Sequence, residues 1–253
     1  MKLYAKQQGQ GVDVISLHGL FGSQENLGMI NRRLAESFRV HGLDIRNHGR
    51  SPHDNTMNYQ VMAEDVLEYM DEQQLKKAHL IGHSMGGKVA MTIALMEPER
   101  VAKLAVIDIA PVTYQRRHDG ILEGMSSIPL DALKSRTEAD QFLEVYGLGK
   151  DVRQFLLKNL YRDEQGNYCW RVNITAIIIH YMEILAGQKS DIGFANDTLF
   201  IKGGESDYIL PEYRGRVLAL FPSASMWVVP GAGHWVHAQK PELVTGKLLH
   251  FLE

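Results

Sequence analysis

The chain has 253 residues, 45% of them hydrophobic and 23% charged, a balance that supports one large globular unit and excludes a disordered or fibrous chain. Lysine and arginine number 27 against 30 acidic residues, so a formal charge of −3 offers no basic field for a nucleic-acid backbone. The lone Cys169 rules out an intrachain disulfide and suits a reducing cytosol, no apolar run approaches the ~20 residues of a membrane helix, and residues 1–6 open no export pattern. The expectation is a cytoplasmic chain with no nucleic-acid or membrane partner.

In chain order, residues 12–17 form the first β-branched run, ending in the turn His18-Gly19-Leu20-Phe21-Gly22. Residues 38–43 read as a second buried strand. Tyr59, Met62, Ala63, Val66 and Met70 then recur at helical spacing. A third strand at 78–81 runs into Gly82-His83-Ser84-Met85-Gly86, and Val89, Ala90, Ile93 and Ala94 carry a helix from there. Residues 104–109 make another strand. Strand and helix in alternation imply an α/β fold with a mostly parallel central sheet and helices on both faces. After Pro111 the pattern changes: residues 114–190 hold helical stretches, such as 142–146 and 152–160, and no convincing strand. Strands resume at 198–202 and 225–229, with helices at 212–220 and 242–252. The expected organisation is a core of residues 1–113 and 191–253 with a helical cap, 114–190, inserted into it. The N-x-T triplets at Asn173 and Asn196 are taken as chance.

Three motifs carry chemistry. Gly82-His83-Ser84-Met85-Gly86 is a G-x-S-x-G turn between a strand and a helix, which forces Ser84 into a strained conformation and presents its hydroxyl at the carboxyl end of the sheet. The turn after the first strand can aim the Leu20 N–H at a developing oxyanion, with Met85 as the second donor and His18 bracing the loop. On the glycine-rich loop 230–235, His234 is the natural general base, because a serine hydroxyl needs an imidazole to take its proton. His79, His83 and His237 are assigned no catalysis. His234 with His237 lacks a third ligand, so no metal site is expected.

These motifs, in this order, resemble the α/β-hydrolase superfamily over essentially the whole chain. Asp44-Ile45-Arg46-Asn47-His48-Gly49-Arg50-Ser51, the continuation Gly86-Gly87-Lys88, Asp108-Ile109-Ala110-Pro111-Val112, and residues 231–238 look like the bacterial YbfF-type esterases. The resemblance implies a cofactor-free serine hydrolase acting through an acyl-enzyme on a small ester or thioester. The roughly ten residues before Val12 leave room for one edge strand where the superfamily often has a hairpin.

Two aspartates stand where one could orient His234. Asp207 has the usual superfamily position; Asp108 ends the preceding strand, and some members resembling this chain lack a carboxylate matching Asp207. Asp108 is favoured and Asp207 is the alternative. Phe21, Tyr114 and Arg117 are candidate substrate-binding residues, with Arg116 and His118 beside the latter two at the cap's first hinge, where they could line the entrance or steady an anionic acyl or CoA group. Phe155, Tyr168 and Trp170 are assigned to the cap's own core, and Lys88 to packing or loop bracing. Other readings of the same residues are C–C bond hydrolysis, perhydrolysis, or a hydrolase-fold binding protein without chemistry.

Overall fold

The computed structural model describes all 253 residues. The chain begins with β1 (Ala5–Gln8), β2 (Asp13–Leu17), α1 (Gly28–Leu34), β3 (Arg39–Leu43), α2 (Tyr59–Glu72), β4 (Ala78–His83), α3 (Met85–Met96) and β5 (Val101–Ile107). Five short helices follow, α4 (Asp119–Ser127), α5 (Arg136–Val145), α6 (Lys150–Leu157), α7 (Ile174–Ile179) and α8 (Tyr181–Leu185), with β6 (Leu160–Arg162) and β7 (Tyr168–Trp170) between α6 and α7. β8 (Thr198–Gly203), α9 (Arg214–Leu220), β9 (Ala224–Val229), α10 (Val236–Gln239) and α11 (Pro241–Leu252) complete it. No helix is long and apolar enough to cross a membrane.

Seven strands form one sheet in the order β1-β3-β2-β4-β5-β8-β9. Only β1 is antiparallel, pairing with β3 at one edge of the sheet. Side chains alternate between faces along each strand, and the two cores follow that alternation. Ile15, Leu17, Leu80, Leu104 and Val106 pack with Met62 and Val66 of α2 and Val89 and Ile93 of α3. Their neighbours Val14, Ile81, Ala105 and Ile107 pack on the opposite face with Ile30 and Leu34 of α1 and Val244 and Leu248 of α11. Burial on both faces is why these strands are continuous apolar runs.

α2 starts where Asn58 Oδ1 accepts the Val61 N–H at 3.0 Å, and α7 starts the same way, with Asn173 Oδ1 accepting from Ala176 N–H at 3.1 Å. Asn173 is therefore a helix cap. Between β5 and β8 the structure departs from the sequence expectation at β6 and β7, which pair antiparallel. Asp163 Oδ1 accepts the N–H groups of Gln165 at 3.0 Å and Asn167 at 2.8 Å and so closes the turn joining them. Three-residue strands are too short to show a period of two; the turn sequence Asp163-Glu164-Gln165-Gly166-Asn167 was their only mark. Leu122, Leu143, Leu156 and Ile184 of this region join the same apolar core as α2 and α3.

Candidate active site

β4 passes through Gly82 and His83 directly into α3, leaving Ser84 at φ 51° and ψ −120°. A non-glycine residue in such a conformation stores about 1–3 kcal/mol and persists only when its surroundings hold it. Here the Ser84 N–H donates to the Ile107 carbonyl at 3.0 Å, and the Ser84 carbonyl accepts from Lys88 N–H at 3.1 Å. A Cβ at Gly82 would lie 2.2 Å from the Gly86 carbonyl oxygen, and one at Gly86 2.4 Å from that of Leu17. Both flanking glycines are thus required by backbone approach.

The loop after β9 brings His234 Nε2 to 3.0 Å from Ser84 Oγ and His234 Nδ1 to 2.8 Å from Asp108 Oδ2. A carboxylate only accepts, so Nδ1 carries the hydrogen and the Nε2 lone pair faces the serine O–H. Asp108 is the first residue beyond β5, at φ 53° and 0% exposed. Its Oδ1 accepts from the Gly203 N–H at 2.8 Å, and its Oδ2 also accepts from the Ser206 hydroxyl. Asp207 points elsewhere: its side chain is 71% exposed and meets the Arg117 guanidinium at 3.2 Å. Of the two aspartates, Asp108 touches the imidazole and Asp207 does not. Ser206 had no sequence signal beyond lying beside Asp207.

Leu20 lines the same cavity as Ser84, and its N–H donates to no group of the chain. Met85 opens α3, so its N–H has no acceptor within the helix. The turn bearing Leu20 lies against the elbow, since a Cβ at Gly19 would be 3.3 Å from that of Ser84. Two buried imidazoles hold the turn. His18 Nδ1 donates to the Gly19 carbonyl at 2.8 Å and its Nε2 accepts from Ile45 N–H at 3.0 Å. His48 Nδ1 donates to the Arg46 carbonyl at 2.9 Å and its Nε2 accepts at 3.1 Å from the N–H of Phe21, itself at φ 60°. Asp44 accepts the N–H groups of Gln24 at 2.7 Å and Arg50 at 2.8 Å, while Arg46 pairs with Asp65. The motif of residues 44–51 is thus a self-bracing loop behind the turn.

These histidines work as neutral rings. Burial pushes His18 down to about 4 and His48 to about 3, and likewise His118 and His237, beside the site, to about 4. Each folded-state value lies below the solvated 6.5, so the unfolded chain takes up protons first as pH falls. Their contribution to stability is complete above about pH 6.5 and is lost toward pH 4, at about 1.4 kcal/mol per pH unit for each fully buried ring. Urea unfolding should therefore show a midpoint that drops steeply between pH 6.5 and 5. A midpoint flat over that range would mean that the rings accept protons without leaving the interior.

The cavity above Ser84 has a volume of about 530 Å³, with Leu20, Phe21, Ile121, Val152, Phe155 and Trp235 as its apolar walls. Phe21 lines this cavity beside Leu20. Phe155 is not confined to the core of the inserted region: its ring meets Trp235 at 5.5 Å on the cavity wall. Tyr114 and Arg117 do not line the cavity. The Tyr114 hydroxyl donates to the Tyr208 carbonyl at 2.6 Å and accepts from Ala110 N–H at 2.8 Å, which turns it into the core. Arg117 is committed to Asp207 and lies over the Tyr208 ring at 4.3 Å. Tyr208, which had no sequence signal for this role, and His118, a neighbour of Arg117 at the hinge after Pro111, take their place. The Tyr208 ring stacks on His234 at 3.8 Å and 17°, and His118 reaches the cavity with Nδ1 2.7 Å from the Tyr181 hydroxyl. His83 Nε2 donates to the His234 carbonyl at 2.9 Å, tying the loop that bears His234 to the turn at Ser84. No group of three or more His, Cys, Asp or Glu side chains is arranged to hold a metal ion.

Comparison with known proteins agrees with this architecture. Residues 14–246 match the model of the alpha/beta hydrolase family. The chain is 39% identical over 249 residues to the esterase YbfF of Escherichia coli, covering 98% of this chain and 96% of that protein. It is 37% identical over 254 residues to the sn-1-specific diacylglycerol lipase ABHD11 of Danio rerio, covering 97% of this chain and 80% of that protein. Among solved structures, one described as a marine microorganism esterase superposes with a TM-score of 0.96 at 40% identity, covering 99% of each chain.

Proposed function

The chain belongs to the alpha/beta hydrolase family, and from that premise we propose that it hydrolyses carboxylic esters by covalent catalysis on Ser84. The observation that carries the proposal is the continuous contact from Ser84 Oγ through His234 to Asp108 at 3.0 and 2.8 Å. Ser84 Oγ attacks the acyl carbonyl while its proton passes to His234 Nε2, and Asp108 holds the resulting imidazolium. The carbonyl oxygen, now an oxyanion, accepts from the N–H groups of Leu20 and Met85. Collapse of this intermediate breaks the ester bond, and His234 returns its proton to the departing alcohol. Water then attacks the acyl-Ser84 ester with neutral His234 as base, and a second collapse releases the acid and restores the serine. Every group in the cycle belongs to the chain, so no cofactor is required.

The relatives named as esterase and lipase support an ester substrate. The apolar walls of the cavity suit an acyl chain, and the same steps cleave an acyl thioester. Residues 114–190 are read as a helical cap on a core of 1–113 and 191–253, since Ile121, Val152 and Phe155 close the cavity from that segment. Cys169, a free thiol, accords with a cytoplasmic location.

A fluorophosphonate probe should attach to Ser84 and to no residue of the Ser84→Ala variant, read by mass spectrometry of the labelled peptide. If the folded wild-type protein stays unlabelled while a known serine esterase reacts in the same tube, the proposal fails.

A further inference from the structure

Lys88 lies one turn into α3 beyond Ser84 and is only 1% exposed. Its Nζ donates to the carbonyls of Val112 at 2.8 Å, Leu185 at 3.1 Å and Ala186 at 2.6 Å. An ammonium has three donors, and all three are used. One acceptor stands where the chain leaves the sheet core for the inserted region, and the other two stand where it returns. The groups facing Nζ are the rings of Tyr114 at 4.7 Å and Tyr59 at 5.5 Å; no carboxylate pairs with it. Burial pushes this amine down to about 7.

The same crossing is tied in three other places. Tyr114 N–H donates to the Leu185 carbonyl at 3.0 Å, Gly187 N–H to Thr113 Oγ1 at 3.0 Å, and the Tyr59 hydroxyl to the Ile184 carbonyl at 2.6 Å. A methionine would fill the space along α3 without the expense of burying a charge that lacks a counter-ion. Nothing in the acyl-transfer steps uses Nζ. What the ammonium alone supplies is a link between the helix that starts at the nucleophile and both ends of the segment carrying His118, Ile121 and Phe155.

We propose that Lys88 is a positioning residue that pins both ends of the inserted segment to the nucleophile helix, and so sets the distance between Ser84 and the far wall of its cavity. The proposal rests on the ester-hydrolase reading. Long acyl chains, which must reach that wall, depend on the pin; an acetyl group does not. The Lys88→Met variant keeps length and removes the donors. Its KM for p-nitrophenyl octanoate should rise about tenfold, as displacement of a remote wall misplaces the bound chain. Its kcat/KM for p-nitrophenyl acetate should change by less than about threefold, because the reacting groups are untouched. Tyr59→Phe removes only the bond to Ile184 and should move KM in the same direction by about twofold.

An unchanged octanoate KM in Lys88→Met overturns the proposal, as does an equal loss on both esters, which would mark a merely structural residue. Hydrogen exchange on the wild-type protein decides the matter if Lys88→Met does not fold or if the ester reading itself fails. The amides of Tyr114 and Gly187 should then exchange as slowly as those inside α3. Exchange of those two amides within seconds would show an unpinned crossing and overturn the inference. Failure of the ester reading is distinguished by absent fluorophosphonate labelling of wild-type Ser84.

Discussion

Ser84→Ala and His234→Ala are each expected to lower kcat on a short-chain ester by about 10⁴- to 10⁶-fold, and the double variant by no more than the worse single one, because nucleophile and base act as a unit. The expectation rests on the proposed acyl-enzyme cycle. Both variants should fold. Alanine keeps the backbone bonds of position 84 to Ile107 and Lys88, and it meets the same positive φ that serine already tolerates. The His234 side chain is 24% exposed. Its loss leaves Asp108 still bonded to Gly203 and Ser206, while the backbone carbonyl of residue 234 still accepts from His83. Steady-state kinetics beside thermal unfolding curves check both halves. Turnover within tenfold of wild type in a folded single variant would remove that residue from the mechanism.

Asp108→Asn is expected to cost about 10⁴-fold in kcat, by analogy with the serine-protease triad, and Asp207→Asn less than about threefold. The physical reason lies in the donors around Asp108. Gly203 N–H faces Oδ1, so an asparagine would keep its carbonyl oxygen there and turn its NH₂ toward His234. Two donors cannot face each other, so the imidazole moves its hydrogen to Nε2, and a protonated Nε2 cannot take the serine's proton. Asp207→Asn disturbs only the ion pair with Arg117, in which the carboxylate is largely exposed, and exposed pairs contribute little. The double variant should match Asp108→Asn. A severe loss confined to Asp207→Asn would show that the loop after β8 rearranges in solution and supplies the orienting acid.

The regular part of the fold was open to reading because it is local. Strands buried on both faces must be apolar throughout, and α2 shows its buried stripe at Tyr59, Met62, Ala63, Val66 and Met70. β6 and β7 were hidden because three residues carry no periodicity. Asn173 looked like a chance triplet because a helix cap and a modification acceptor share the same two residue types. Tyr114 and Arg117 were expected near the cavity from their place in the chain after Pro111. Position along the chain does not give side-chain direction, and better partners in Tyr208, Ala110 and Asp207 turned both away.

By itself the sequence determined the α/β class, the strand-to-helix turn at Ser84 and the loop that bears His234. Those features follow from steric rules that act over a few residues: only glycine fits beside the backbone at positions 82 and 86, and a strand that turns directly into a helix presents the residue at the junction at the sheet's carboxyl edge. The tertiary structure alone decided which aspartate meets His234, since Asp108 and Asp207 both lie beyond strands ending on that edge. β5 lies between β4 and β8, and a left-handed turn at Asp108 aims its carboxylate at Nδ1 and the Gly203 N–H together. It also decided what Lys88 holds, because Val112 and Ala186 are far apart along the chain and meet only when the inserted segment closes on the core. A hydrogen bond is lost within about an ångström of misplacement, so such pairings depend on the packing of the whole molecule and leave no pattern in the order of its residues.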